Sequence, residues 1–104
     1  MTVVTVYATF ADAAEAERIG RTVVEERLAA CINLLAPCTS FYWWEGKVTQ
    51  AAEVPAILKT SLARADALIA RITELHSYNV PAIAVWPIER LPASFADWVD
   101  VELR

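Results

Sequence analysis

His76 is the only histidine in the chain, and imidazole is a favoured ligand for copper and other divalent cations. The same residue also suits the C-terminal end of a helix, where a cation meets the helix dipole. One histidine cannot close a metal site, so a ligand role requires groups from other subunits. Cys31 and Cys38 are the only cysteines, and their spacing matches no Cys-x-x-Cys motif. On one straight strand they stand about 23 Å apart and on opposite faces, too far for a disulfide. Cys31 is either a soft ligand for Cu(I) or a small buried hydrophobe. Glu53 and Lys59 share strand parity but lie about 20 Å apart along a strand, so they cannot pair within it. A charge on an apolar strand needs a partner, and a neighbouring subunit could supply one across a cleft. Tyr42, Trp43 and Trp44 form either a stacking shelf for a ligand or an interface patch. No P-loop, Gly-x-Gly-x-x-Gly or paired-carboxylate motif occurs. The chain reads as a binding protein and not an enzyme.

The elements that must hold these residues follow from periodicity. Thr2 to Phe10 alternates as a strand, with Val4, Val6, Ala8 and Phe10 on one face. Asp12 is placed to cap a helix over Ala13–Leu28. Ala30–Trp44 reads as a second strand, which Pro37 could interrupt. Glu45 and Gly46 form a two-residue hairpin turn. Lys47–Thr60 returns as the third strand, with Pro55 pointing to an edge or a bulge. Thr60 or Ser61 caps a helix over Leu62–Leu75. Val80–Ile88 is a fourth, almost wholly apolar strand. Ser94 with Asp97 suggests a capping box opening a short C-terminal helix. The order is α+β of the ferredoxin-like type, βαββαβ, with two helices on one face of an antiparallel sheet plus the terminal helix.

The chain has 104 residues, 57% of them hydrophobic and 21% charged. That suits one domain over residues 1–104 and excludes intrinsic disorder. The formal net charge is −4 with no basic run, which disfavours nucleic acid as a partner. No apolar run approaches the roughly 20 residues of a membrane span, and the uncharged N-terminus reads as a strand rather than a signal peptide. A cytoplasmic protein is expected.

Two features predict self-association. The strands are apolar on both faces, whereas helices α-packed on one side cover only one. The central hairpin, with arms of about 45 Å, also outruns its helices, at about 24 Å. Its bare aromatic end, with Phe41 to Trp44, calls for pairing with another subunit, or else Pro37 and Pro55 bend the hairpin back over its own domain.

Four segments carry a family resemblance. They are RLAACIN (Arg27 to Asn33), SFYWWEGK (Ser40 to Lys47), ILKT (Ile57 to Thr60) and HSYNVP (His76 to Pro81), with Trp98 near the end. In this order they resemble the CutA family of divalent-cation-tolerance proteins over essentially the whole chain. The resemblance implies a homotrimer similar in architecture to the PII signalling proteins. It implies binding of copper or another divalent cation and a role in the response to metal ions. It also implies a cleft between subunits. The matching positions here are Cys31, Tyr42, Trp44, Glu53, Lys59, Tyr78 and Trp98, with His76 as the metal candidate. The family's HPYExPE pattern reads HSYNVPA, so Ser77, Asn79 and Ala82 depart from it. Ala8 and Leu75 stand where some members carry Cys and His, which thins the metal-ligand set. The other functional reading is a PII-like sensor, with a small molecule in the intersubunit cleft and a protein partner downstream.

Overall fold

In the computed structural model, which describes residues 1–104, the alternation of the first strand becomes the axis of the molecule. Strand β1 (Val3–Phe10) turns Val6, Ala8 and Phe10 into a core where each is wholly buried. Helix α1 (Ala13–Glu25) starts where Asp12 accepts the N–H of Glu15, at 2.8 Å. It ends three residues before Leu28. Arg27 enters the left-handed region with φ 62, and the N–H groups of Leu28 and Ala29 both turn back to the Val23 carbonyl. Ala16, Ile19 and Val23 of α1 pack on β1. Helix α2 (Leu62–Leu75) matches its expected span, is capped by Ser61, and adds Leu68 and Ile72 to the same core. Each such fully buried side chain contributes about 1.5–3 kcal/mol.

The expected second strand is two strands. β2 (Cys31–Leu34) and β3 (Cys38–Trp44) are separated at residues 35–37, and both pair with β4 (Lys47–Ser61). Pro55 explains the break. It lies inside β4, not on an edge, because β4 pairs with β1 on its other side. The Pro55 carbonyl accepts the N–H of Leu35, so the missing proline donor faces this same interruption. The bulge reading holds and the edge reading fails. Strand β5 (Ile83–Pro87) is shorter than the expected Val80–Ile88, because Val80 and Pro81 leave the sheet, Ala82 keeps only one bond to β1, from the Thr9 N–H to its carbonyl at 3.3 Å, and Ile88 lies past the strand end. The sheet order is β2-β4-β1-β5, with β3 continuing beside β4. With β2 and β3 taken as one interrupted arm, this is the antiparallel ferredoxin-like arrangement.

Helix α3 (Ala93–Glu102) follows Pro92, and no side chain caps it. The Ser94–Asp97 capping box therefore does not form, because Ser94 already lies inside the first turn. Val99 and Leu103 of α3 pack with Val3 and Ala30. Val3 lies on the sheet face opposite Val4, Val6 and Ala8, so α3 covers one end of the second face. The expectation that this face lacks any helix is corrected to that extent.

The rest of that face, and the hairpin, stay open. Glu45 and Gly46 take φ 49 and φ 79, the paired positive values of a type I′ turn. The β3–β4 hairpin gives a shape of 45 × 26 × 23 Å, and leaves Phe41 68% and Trp43 75% exposed.

Candidate functional site

The open face begins with Thr5, Tyr7 and Thr9, which alternate with the core residues of β1. Register places Asn33, Ile57, Tyr7 and Ala84 in one row, and Cys31, Lys59, Thr5 and Trp86 in the next. Tyr7 stacks on Trp86, with ring centroids 4.9 Å apart. Toward the hairpin the face deepens into a cleft of about 680 Å³. Tyr7 and Thr9 of β1 and Glu53 of β4 line it. Phe41, Tyr42 and Trp44 come from β3, and Tyr78, Asn79, Val80 and Ala82 come from the segment before β5.

Glu53 is only 7% exposed, and no ion pair in the chain includes it. The Tyr78 phenol beside it is pushed up to about 12, first by burial and then by the Glu53 carboxylate, with Tyr42 and Glu15 adding to the effect. Tyr78 therefore stays protonated and available as a donor across physiological pH.

His76 lies behind the cleft wall. Its ring is wholly buried, stacked on Phe10 at 5.3 Å and against Tyr78 at 4.8 Å. The Tyr78 N–H donates to Nδ1 at 3.0 Å, which leaves the proton on Nε2, and Nε2 donates to the Thr9 carbonyl at 2.8 Å. Its backbone N–H also closes α2 on the Ile72 carbonyl. Beside it Glu15 accepts the N–H groups of Ala11 and Ser77. Burial raises the Glu15 carboxyl, but these hydrogen bonds and His76 outweigh it and hold the group below its ordinary 4.5.

The geometry thus gathers Tyr42, Trp44, Glu53 and Tyr78 into one cleft. Within one chain it does not bring the other residues expected at an intersubunit cleft to the same place. Cys31 and Lys59 are register partners on the same face, nearer its α3 end. Trp98 is on α3, stacked on Phe95 at 6.0 Å. Two departures from the family pattern, Asn79 and Ala82, line the cleft, whereas Ala8 is core and Leu75 packs against it. Tyr7 and Thr9 were not expected in the site. Their only signal was the hydroxyl-bearing alternation of β1. Glu15 was also missed, although an acid three residues after the Asp12 cap is itself a helix-start pattern.

A divalent cation does not fit the donor set of one protomer. No three His, Cys, Asp or Glu side chains cluster. In this conformation both His76 nitrogens are spent on backbone groups, and Cys31 has a lysine as its cross-strand neighbour. Both cysteines are free thiols.

The comparisons with known proteins agree on the fold and its kin. The family model described as CutA1 divalent ion tolerance protein matches residues 4–102. The chain is similar to the divalent-cation tolerance protein CutA of Pyrococcus horikoshii, 42% identical over 99 residues, covering 95% of this chain and 96% of the relative. It superposes on the periplasmic divalent cation tolerance protein CutA from Archaeoglobus fulgidus with a TM-score of 0.95 and 38% identity, covering 98% and 99% of the two chains. CutA1 from Oryza sativa gives a TM-score of 0.96 at 33% identity, covering 100% of this chain and 95% of that one.

Proposed function

The chain belongs to the CutA1 family of divalent ion tolerance proteins, and from that membership we propose that it acts as a homotrimer whose functional site is the Glu53 cleft. A neighbouring subunit completes the cleft, and a small ligand occupies it. The role is binding and signalling rather than catalysis. The observation that carries this reading is the cleft itself, with one buried carboxylate among aromatic walls on the part of the sheet that no helix covers. Ligand sites are concave and largely apolar, with few polar groups. Exposed apolar surface on this scale marks a binding face.

Light scattering tests the assembly. The wild-type protein is expected at three chain masses, and Trp43→Glu, at the exposed hairpin end, at a lower mass. A wild-type monomer at micromolar concentration sinks the proposal.

Direct binding of copper or another divalent cation is the second reading, supported by the family's role in cation tolerance. It requires ligands from more than one subunit, and His76 joins them only if its ring leaves its backbone partners. Calorimetric titration with Cu(II) tests it against His76→Ala. Binding indifferent to that change removes His76 from the ligand set. A cytoplasmic location belongs to the same proposal and is supported by two free thiols, which suit a reducing compartment. Cell fractionation checks it.

A further inference from the structure

We propose that the Glu53 cleft selects a small organic monocation of the quaternary ammonium type, with Glu53 as its counter-charge. This rests on the reading of the cleft as a ligand site and names the class of ligand.

The charge balance leads to it. Glu53 is more than nine-tenths buried; the Tyr78 phenol is a hydrogen-bond partner for its carboxylate, but a phenol supplies no counter-charge, and burying a carboxylate without one is costly. It takes part in none of the ion pairs of the chain. Its cross-strand partner is Cys38, which is uncharged at the sulfur in its thiol form. Lys59 is six residues along the same strand, about 20 Å away. No other residue lining the cleft carries a charge, since Asn79, Ser40 and Thr9 are neutral and the rest are aromatic or aliphatic. Within one chain the site therefore presents one negative charge with no cation beside it, and calls for one positive charge.

The walls decide what kind. Tyr7, Phe41, Tyr42, Trp44 and Tyr78 bring five aromatic rings to the cleft. Aromatic faces attract cations, and weakly hydrated alkylammonium groups benefit most because they shed water cheaply. An inorganic divalent cation needs several oxygen, nitrogen or sulfur donors in a fixed shell. Here it would find one carboxylate and phenols, and the Tyr78 phenol is held protonated. A volume of about 680 Å³ also exceeds what a bare ion fills. An anion would meet Glu53 with like charge.

Calorimetry on the intact assembly tests the inference, with choline chloride as the probe and 3,3-dimethylbutan-1-ol as its neutral isostere. Choline is expected to bind at least about tenfold more tightly than the alcohol. Glu53→Gln is expected to bring the two within about twofold. If that variant does not fold, Glu53→Asp serves, and choline affinity is expected to fall while alcohol affinity holds. Equal binding of alcohol and choline by the wild type overturns the ligand class and leaves the cleft standing as a ligand site. A choline preference that survives Glu53→Gln overturns the assignment of Glu53 as the counter-charge, and with it the proposal. Silence of both probes overturns the inference but not the reading of the cleft as a ligand site, which a ligand of another class would still fill. That last result is the one expected if a lysine of a neighbouring subunit already neutralises Glu53.

Discussion

The Glu15 carboxylate accepts the N–H of Ser77 at 2.7 Å across 62 residues of chain, and its other oxygen accepts the N–H of Ala11 at 2.9 Å. One side chain thereby ties the start of α1 to the end of α2. Ser77 is the residue between His76 and Tyr78, so this clamp also fixes the segment that forms one wall of the cleft.

Glu15→Gln is expected to destabilise the fold by about 1–3 kcal/mol. The carboxylate serves two N–H donors with two acceptor oxygens. The amide offers one oxygen and turns an NH₂ toward the other donor, leaving it unmet in a buried place. Urea unfolding at neutral pH measures the loss. A change below a few tenths of a kcal/mol would show that water replaces the clamp.

The same clamp sets a pH dependence. The Glu15 carboxyl is held below 4.5 in the folded protein by its hydrogen bonds. A carboxylate depressed by folding contributes stability that is fully present above its unfolded value, about 4.3. That contribution is lost as pH falls through the depressed folded value. Wild-type stability should therefore drop on acidification below about pH 4.5, and the drop should be shallower in Glu15→Gln. Parallel acid-unfolding curves for the two proteins would remove Glu15 from the acid response.

Gly20 is held small by a neighbour. A Cβ there would stand 2.7 Å from Ile32 Cδ1 and 3.2 Å from Ile32 Cγ2. Alanine gains about 1 kcal/mol of helix propensity over glycine, but overpacking a tight contact costs about 1–3 kcal/mol. Rotating the end of Ile32 relieves Cδ1 and not Cγ2, so Gly20→Ala is expected to destabilise by about 1 kcal/mol net. Ile32→Val removes Cδ1. In that background the same glycine change should be neutral or stabilising, a coupling that a double-mutant cycle reads directly.

These details show where the sequence spoke plainly. Helix α2 was legible to the residue because its apolar stripe and Ser61 cap are local signals. So was the Glu45–Gly46 turn, whose backbone demand falls on two adjacent residues. The end of α1 was not, because Arg27 adopts a left-handed conformation that usually announces itself as glycine. Distant partners hold it there, as the Arg27 side chain bonds Glu102 and its carbonyl accepts from Arg64. The cleft was legible in part for the same reason. Tyr42, Trp44 and Tyr78 stand in motif segments and Glu53 between two of them, but their meeting depends on where the segment before β5 runs beside β1. Register then separates Cys31 and Lys59 from them, and register is not visible in residue types. The donor count of His76 is likewise decided by Thr9, 67 residues away.

The hairpin turn offers a test free of side-chain packing. Gly46 has φ 79, and a Cβ there would meet nothing within 4 Å. Any cost of Gly46→Ala is therefore backbone strain, expected at about 1–2 kcal/mol. Glu45 shares the left-handed region with φ 49. Glu45→Asn relieves it and should stabilise by a few tenths of a kcal/mol up to about 1 kcal/mol, since asparagine followed by glycine is the favoured type I′ pair. Thermal unfolding of both variants decides the matter. Equal and negligible shifts would mean that the hairpin end is unpaired in the unfolding transition and contributes nothing to cooperative stability.

The Tyr78 phenol, pushed up to about 12, reports on Glu53 from inside the cleft. Burial and the carboxylate both favour the neutral phenol, so removing the charge alone should lower the value partway toward the ordinary 10.0. In Glu53→Gln the Tyr78 ring is accordingly expected to ionise at lower pH than in the wild type, and not to reach the exposed value because burial remains. Tyrosine ring resonances followed by NMR between pH 9 and about 12 measure this, with Tyr78→Phe identifying the signal. An unchanged Tyr78 titration in Glu53→Gln would show that the carboxylate and the phenol do not face one another in solution. It would also take away the electrostatic centre on which the ligand preference of the cleft depends.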